Sequence, residues 1–138
     1  MQEFAARPGV EWLGHVKNIA DLWSRAHIAV LPSRREGMPK SLLEAAAFGR
    51  PIIATDVPGC RDVAIDGKTG LLVPVDDAQS LAEAISRLAH DAALRHWLGR
   101  AAREHVETCF SASAIGAASA SLYTSLIERP IEVAPRLI

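Results

Sequence analysis

The chain has 138 residues, 49% of them hydrophobic, and a formal net charge of −1, so it suits one domain with its own core and lacks the broad basic surface of a nucleic-acid-binding protein. Its two cysteines, Cys60 and Cys109, form no C-x-x-C pair, which argues against a disulfide framework or a zinc site and favours a reducing cytoplasm. No apolar run of roughly 18 residues and no signal-peptide pattern is found, so a soluble protein is expected.

The first half of the sequence alternates between strand and helix patterns. Val10–Leu13 predicts a first strand, and Asn18 is a suitable cap for a first helix. The continuous apolar run His27–Leu31 predicts a buried strand. A helix is expected to open with Pro39 at its first helical position and to end at Gly49. The β-rich run Pro51–Thr55 follows as the next strand.

The second half continues the alternation and then becomes helical. Gly59–Ile65 predicts a short helix, and Leu71–Val75 predicts a fourth strand after a glycine-bearing turn. Asp77, Asp91 and Ser111 are each placed to cap a further helix. After residue 128 the pattern loses its period, so residues 129–138 are expected to form a loose tail.

Apolar strands without alternation, separated by helices, indicate a parallel sheet covered on both faces. The predicted fold is therefore α/β, a Rossmann-like three-layer domain with a mainly parallel sheet of about four strands. Ligands of such sheets bind beyond the carboxyl ends of the strands. The loops to inspect are thus residues 14–18, 32–38 and 55–61, together with the segment after Val75.

One of these loops opens the stretch SRREGMPKSLLEAAAFGRP, which holds two glutamates with seven residues between them. Gly37 lets the backbone approach a ligand, and the free amides around residues 38–41 suit a phosphate or a sugar oxygen. Glu44 stands among apolar neighbours and needs partners, which are either the hydroxyls of a ribose or Lys40 one turn earlier. Glu36 is either a ligand-binding group or a solvated surface acid.

The longer stretch PSRREGMPKSLLEAAAFGRPIIATDVPGCRDVAIDGKTGLLVP resembles the signature region of the group 1 (family 4) retaining glycosyltransferases, which have the two-domain GT-B fold. The resemblance includes the glutamate pair, the Gly-Arg-Pro turn, the Thr-Asp strand end and the glycines before LLVP. It extends from about Val10 to Leu126. It implies that residues 1–128 are part of a C-terminal, nucleotide-sugar-binding domain.

The resemblance also implies a site and a reaction. Glu36 would be catalytic, lying near the donor sugar, and Glu44 would accept the ribose hydroxyls. The donor would be a nucleotide diphosphate sugar, most simply a UDP- or GDP-sugar, used without cofactor or metal in polysaccharide or glycoconjugate biosynthesis. The residues implied to bind substrate are Val16, Glu36, Gly37, Met38, Pro39, Lys40 and Glu44.

Parts of the family pattern have no counterpart in this sequence. An N-terminal acceptor-binding domain, the first two strands of the C-terminal domain and the basic residues that neutralise the diphosphate are missing, so the chain alone is expected to be inactive. Arg34 and Arg35 are either partial substitutes or solvated surface residues. The complete protein would be cytoplasmic and, through the missing domain, peripheral at the inner membrane.

Without those two strands, the His27–Leu31 strand would expose an apolar edge. The Val10 strand or a second copy of the chain is expected to cover it, and a homodimer could form through this edge or through the last helix. The alternative to an enzyme is a non-catalytic module that binds a nucleotide sugar or a partner protein, such as one half of a split enzyme.

Overall fold

The computed structural model of the protein describes residues 7–128. Six helices and three strands lie within that range. In chain order they are α1 (Ile19–Arg25), β1 (Ala29–Leu31), α2 (Lys40–Ala47), β2 (Ile52–Thr55), α3 (Pro58–Val63), β3 (Gly70–Val73), α4 (Ala78–His90), α5 (Ala92–Cys109) and α6 (Ala112–Ile127).

The three strands form one parallel sheet in the order β1-β2-β3. Every residue of β2 is buried, because helices cover both faces of the sheet. On one face Ile52 and Ala54 pack in a cluster with α2, α3 and the second half of α5. On the other face Ile53 packs with α4 and with Leu98 of α5. The structure confirms the predicted three-layer α/β fold with a parallel sheet.

The number of strands differs from the prediction, because Val10–Leu13 forms no strand. Trp12 and Leu13 in this run are 67% and 45% exposed. A short extended segment with no neighbouring strand gains no ladder hydrogen bonds, so an apolar pattern alone does not make it a strand. The described residues therefore contain three strands.

The outer edge of β1 is open in the described part of the chain, since β1 pairs with β2 alone. Val30, in the middle of β1, is 40% exposed. The expectation that the Val10 segment covers this edge is wrong. Cover by a second copy of the chain stays a prediction.

The predicted ends of α2 are nearly correct. Pro39 immediately precedes the first helical residue, one position earlier than expected. Gly49 follows the helix with a φ of +65°, a conformation that favours glycine. Its amide donates to the carbonyl of Ala46 at 2.8 Å, and the next amide donates to the carbonyl of Ala45 at 2.9 Å. These bonds end α2 and turn the chain into β2.

The caps of the last three helices are confirmed. The side chains of Asp77, Asp91 and Ser111 each accept a hydrogen bond from a backbone amide in the first turn of α4, α5 and α6, respectively. Asn18 stands at the cap position of α1, but its side chain donates to Asp21 at 2.7 Å and does not cap the helix. The prediction for α1 is therefore correct for the cap position, but the expected hydrogen bond from a helix amide to the Asn18 side chain is not formed.

The last helix is apolar and exposed. No residue of α6 is buried, and its large apolar side chains are 50% to 84% exposed, for example at Ile115 and Ile127. Contrary to the sequence expectation, the helical segment Ala92–Ile127, which comprises α5 and α6, contains an 18-residue window that is apolar enough to cross a membrane by length and composition. One such helix is weak support for a membrane span. The predicted loose tail, residues 129–138, lies outside the described residues.

Candidate functional site

The candidate site lies at the carboxyl edge of the sheet. Because all three strands are parallel, the segments that follow them meet at the same edge. The segment after β1 is residues 32–39, which we call the Glu36 loop. The segment after β3 is residues 74–77, which we call the Asp77 loop. The expected ligand-binding loops after these strands are thus brought together.

The Glu36 loop is anchored near both ends. Near its start, the hydroxyl of Thr55, which is 3% exposed, donates to the carbonyl of Ser33. At its end, Pro39 is buried. Between these anchors Glu36 is half-buried, and among residues 7–128 its carboxylate forms no hydrogen bond or ion pair. The loop is therefore held in place while its carboxylate remains available to a ligand.

Helix α3 lies directly against this loop. A Cβ built on Gly59 would stand 2.5 Å from the carbonyl oxygen of Glu36 and 2.6 Å from the carbonyl carbon of Gly37, so the two backbones touch. The next residue, Cys60, is fully buried. Burial raises the pKa of its thiol, and the nearby negative charge of Glu36 raises it further. Cys60 is therefore held as a neutral thiol beneath the loop.

The start of α2 offers unpaired donors. The helix has no side-chain cap at its N-terminus, and the first amides of a helix have no partner within it. Gly37 and Met38 just before it are exposed, with Met38 at 48%. A partial positive charge at this end suits an anionic or polar oxygen.

Glu44 lies on α2 but is less buried than the sequence suggested. Its side chain is 28% exposed, and an oxygen of its carboxylate is 3.6 Å from the ammonium group of Lys40, which is 87% exposed. The eight-residue helix buries a face formed by Leu42, Ala45 and Ala46, and Glu44 lies beside that face. Such a long, exposed pair contributes little to stability. The ribose-binding role of Glu44 stays a prediction.

Val16 is placed apart from the other predicted site residues. It lines a depression of about 300 Å³ together with His15 and residues of α1. None of residues 36–44 lines that depression. The structure thus brings Glu36, Gly37, Met38, Pro39 and the start of α2 together along one stretch, but it does not join Val16 to them in one pocket.

Arg34 ties the Glu36 loop to the Asp77 loop. Its guanidinium donates to the carboxylate of Asp76 at 2.8 Å, and both side chains are well exposed. Asp76 itself adopts a φ of +61°, which aspartate tolerates better than most residues. Arg34 is therefore engaged by a carboxylate. Arg35, the next residue, is exposed as well.

A cavity of about 270 Å³ opens beside this ion pair at the carboxyl edge, between the ends of β2 and β3 and the start of α4. Its lining residues are Pro32, Thr55, Val73, Pro74, Asp76, Asp77, Ala78 and Leu81. Neither glutamate of the pair contributes to it. The cavity and the Glu36 loop are therefore neighbouring but distinct parts of the edge.

Metal-ligating side chains are dispersed over the part of the chain that the structure describes. No group of three or more His, Cys, Asp or Glu residues there could hold a metal ion. Asp56, which follows β2, is paired instead with Arg61 at 2.5 Å, and this hydrogen bond lowers the pKa of Asp56. The prediction that the reaction needs no metal stays a prediction.

Comparison with known proteins decides the family. Residues 1–91 match the family described as glycosyl transferases group 1. The chain belongs to this family. It is 41% identical over 131 residues to an exopolysaccharide phosphotransferase of Streptomyces coelicolor, covering 94% of the chain and 14% of that protein. It is 32% identical over 121 residues to the capsular polysaccharide biosynthesis glycosyltransferase CapM of Staphylococcus aureus. This match covers 88% of the chain and 32% of CapM.

The fold of this group 1 glycosyltransferase chain also matches solved structures. Anabaena HepE in complex with UDP has a TM-score of 0.79 and 22% identity, over 84% of this chain and 32% of HepE. This likeness confirms the GT-B type of α/β fold. The chain spans only 14% to 33% of the length of the curated relatives that it matches. The activity of a complete enzyme is therefore only proposed for this chain.

Sequence reasoning missed the residues that hold the Glu36 loop of this glycosyltransferase chain in place. Thr55 and Gly59 belong to the strand end and glycine that matched the family pattern, but their contacts with the loop could not be read from that pattern. The Arg34–Asp76 pair spans 42 positions in the chain and carries no local signal. The contacts of all three depend on distant segments meeting at the sheet edge.

Proposed function

We propose that this chain is the donor-binding part of a retaining glycosyltransferase that uses a nucleotide diphosphate sugar, within a domain of residues 1–128. The observation that carries the proposal is half-buried Glu36, whose carboxylate has no partner among residues 7–128, on an anchored loop next to the uncapped start of α2. Membership of the group 1 glycosyltransferases supports it, as does the UDP complex of a protein with the same fold.

In this proposal the two ends of the stretch bind different parts of the donor. Glu44 accepts hydrogen bonds from both ribose hydroxyls, and this replaces its long contact with Lys40. Lys40 is then free to approach the diphosphate. The amides of Gly37 and Met38, with those at the start of α2, face the sugar or the diphosphate. Val16 contacts the base through its main chain.

Glu36 acts on the sugar. When the bond between the anomeric carbon and the diphosphate oxygen breaks, positive charge develops on the sugar, and the negative carboxylate stabilises it. The acceptor oxygen bonds to the same face of the sugar, so the configuration is retained. The acceptor hydroxyl transfers its proton to the departing phosphate, and no metal or cofactor takes part.

The relatives support a biological setting for this proposal. CapM is named for capsular polysaccharide biosynthesis, which supports a role in assembling polysaccharides or glycoconjugates from a hexosyl donor. The acceptor would be bound by a separate domain, because the chain spans less than a third of CapM. We propose that the complete enzyme lies in the cytoplasm, peripheral to the inner membrane. The described domain alone would not catalyse sugar transfer.

The second candidate is a non-catalytic module that binds the nucleotide sugar or a partner protein. The engagement of Arg34 by Asp76 favours it, because a cation already paired with a carboxylate contributes less to stabilising a departing diphosphate than a free one does. A transfer assay separates the two candidates. Transfer by the complete encoded polypeptide, or after adding a separately made acceptor domain, supports the enzyme, whereas donor binding without transfer in both supports the module.

Calorimetric titration with UDP-, GDP- and ADP-sugars tests the donor site. The complete encoded polypeptide is compared with Glu44→Gln and with Glu104→Gln, an exposed glutamate on α5. Charge-assisted hydrogen bonds predict that Glu44→Gln weakens donor binding about 10- to 100-fold. The Glu104→Gln control should bind as the unsubstituted protein does. Unchanged affinity in Glu44→Gln would refute the ribose assignment.

A further inference from the structure

We propose that Gly59 is a positioning residue that sets where the Glu36 loop presents its carboxylate to the donor sugar. The proposal rests on the donor site proposed above and adds a residue from another element to it. Gly59 itself is buried and has no side chain with which to touch a ligand. Its role is to let α3 and the loop approach each other at backbone distance.

The contact leaves no room for any side chain. A Cβ on Gly59 would collide with the carbonyl oxygens of both Gly37 and Glu36, the latter at 2.5 Å. Real Cβ atoms do not approach heavy atoms closer than about 3.0 Å, so either the helix or the loop must move. Backbone carbonyls cannot rotate away as a flexible side chain can.

Helix α3 is the less mobile partner. Cys60 and Val63 are fully buried in the cluster formed with α2 and α5, and Val57 just before the helix is 6% exposed. Retreat of α3 would force these side chains into a closely packed core. Exposed residues, Arg35 and Gly37, flank Glu36 in the loop. A methyl group at position 59 therefore displaces the Glu36 loop.

The displacement should affect recognition of the sugar and spare recognition of the ribose. Glu44 is carried by α2, which is held by Leu42, Ala45 and Ala46, all at most 1% exposed. Ribose recognition thus depends on a packed helix, whereas sugar recognition depends on a loop resting on Gly59. A substitution at Gly59 is expected to uncouple the two.

The chain offers a matched control. A Cβ on Gly99 of α5 would likewise collide with a backbone carbonyl, that of Gly49, whose carbon lies 3.0 Å away. Gly49 lies beyond the C-terminal end of α2, away from the carboxyl edge of the sheet. Gly116→Ala in α6 is the benign control, because a Cβ there has nothing within 4 Å.

The test compares the affinities of UDP and UDP-glucose for the complete encoded polypeptide and its Gly59→Ala, Gly99→Ala and Gly116→Ala variants. Loss of one hydrogen bond to a charged group costs about tenfold or more in affinity, so Gly59→Ala is expected to weaken UDP-glucose binding about tenfold and UDP binding clearly less. The ratio of the two affinities should stay constant in both controls. Equal changes for both ligands, or none, in Gly59→Ala would overturn the proposal.

A second measurement needs no variant and applies even if Gly59→Ala does not fold. In the unsubstituted protein, UDP-glucose should shift the amide resonances of Gly59 and Gly37 together, and by more than UDP alone does. A Gly59 resonance that stays fixed while that of Gly37 moves would contradict the proposal. Absence of binding of all three of UDP-, GDP- and ADP-glucose in the unsubstituted protein would instead refute the proposed function, so the two failures are distinguishable.

Discussion

The Glu36 loop and the Asp77 loop lie at the same edge of the sheet but use their acidic residues differently. In the Asp77 loop both carboxylates are engaged. Asp76 accepts from Arg34 at 2.8 Å, and Asp77 accepts from the hydroxyl and the amide of Ser80 at 2.6 and 2.9 Å. In the Glu36 loop, contacts by Thr55 and Gly59 fix the backbone, and the carboxylate has no partner among residues 7–128.

The difference separates a structural acid from one available to a ligand. The hydrogen bonds from Ser80 lower the pKa of Asp77, so this carboxylate gains its stabilisation within the fold. A half-buried carboxylate without such bonds loses part of its hydration and gains nothing in return. A donor that supplies positive charge or hydroxyl groups would provide that compensation. This is why we propose the donor site at the Glu36 loop.

Removing the charge of Glu36 should have the largest effect. Glu36→Gln keeps the shape of the side chain but cannot stabilise positive charge on the sugar, so turnover by the complete encoded polypeptide should fall about 100- to 1,000-fold. The thermal midpoint should change little, because Glu36 has no hydrogen-bond or ion-pair partner among residues 7–128. Steady-state kinetics measures the effect, with Glu104→Gln as the control. Turnover within about twofold of the unsubstituted enzyme would argue against a catalytic role.

Removing the cap at Asp77 should have a smaller effect, and on stability. Since the pKa of Asp77 is lowered by folding, its stabilisation is present above the unfolded value of about 3.9 and is lost as the pH falls through the folded pKa. Asp77→Ala should therefore lower the thermal midpoint by a few degrees at neutral pH. The difference from the unsubstituted protein should shrink in acid below that value.

Thermal unfolding followed by circular dichroism across this pH range tests the Asp77 prediction. Asp62→Ala is a suitable control, because Asp62 is exposed and has no cap position. Donor affinity should be unchanged in both variants, since neither residue belongs to the proposed site. A pH-independent loss of stability in Asp77→Ala would contradict the account of its hydrogen bonds.

Features with local signals were predicted well from the sequence. Asp77, Asp91 and Ser111 cap helices, because a cap needs a suitable side chain and the amide three residues on. Gly49 ends α2 through a backbone conformation that few other residues adopt. Parallel pairing followed from the alternation of apolar strands and helices.

Features that depend on distant segments were not predicted. Val10–Leu13 has an apolar pattern, but a strand also needs a neighbour. The burial of Glu44 depends on which face of α2 meets the sheet, and no local pattern specifies how far the edge of that face is covered. The motif located the Glu36 loop, but the contacts with Gly59 and Thr55 that hold it depend on how the edge assembles.

Hydrogen exchange with and without UDP-glucose tests whether the donor binds at the Glu36 loop. The complete encoded polypeptide is labelled in both states, and the amides of the two loops are compared by mass spectrometry. UDP-glucose is expected to slow exchange at the amides of residues 37, 38, 40 and 41 and to leave those of residues 75–78 unchanged. Slowing confined to residues 75–78, where the neighbouring cavity lies, would contradict the assignment of the donor site to the Glu36 loop.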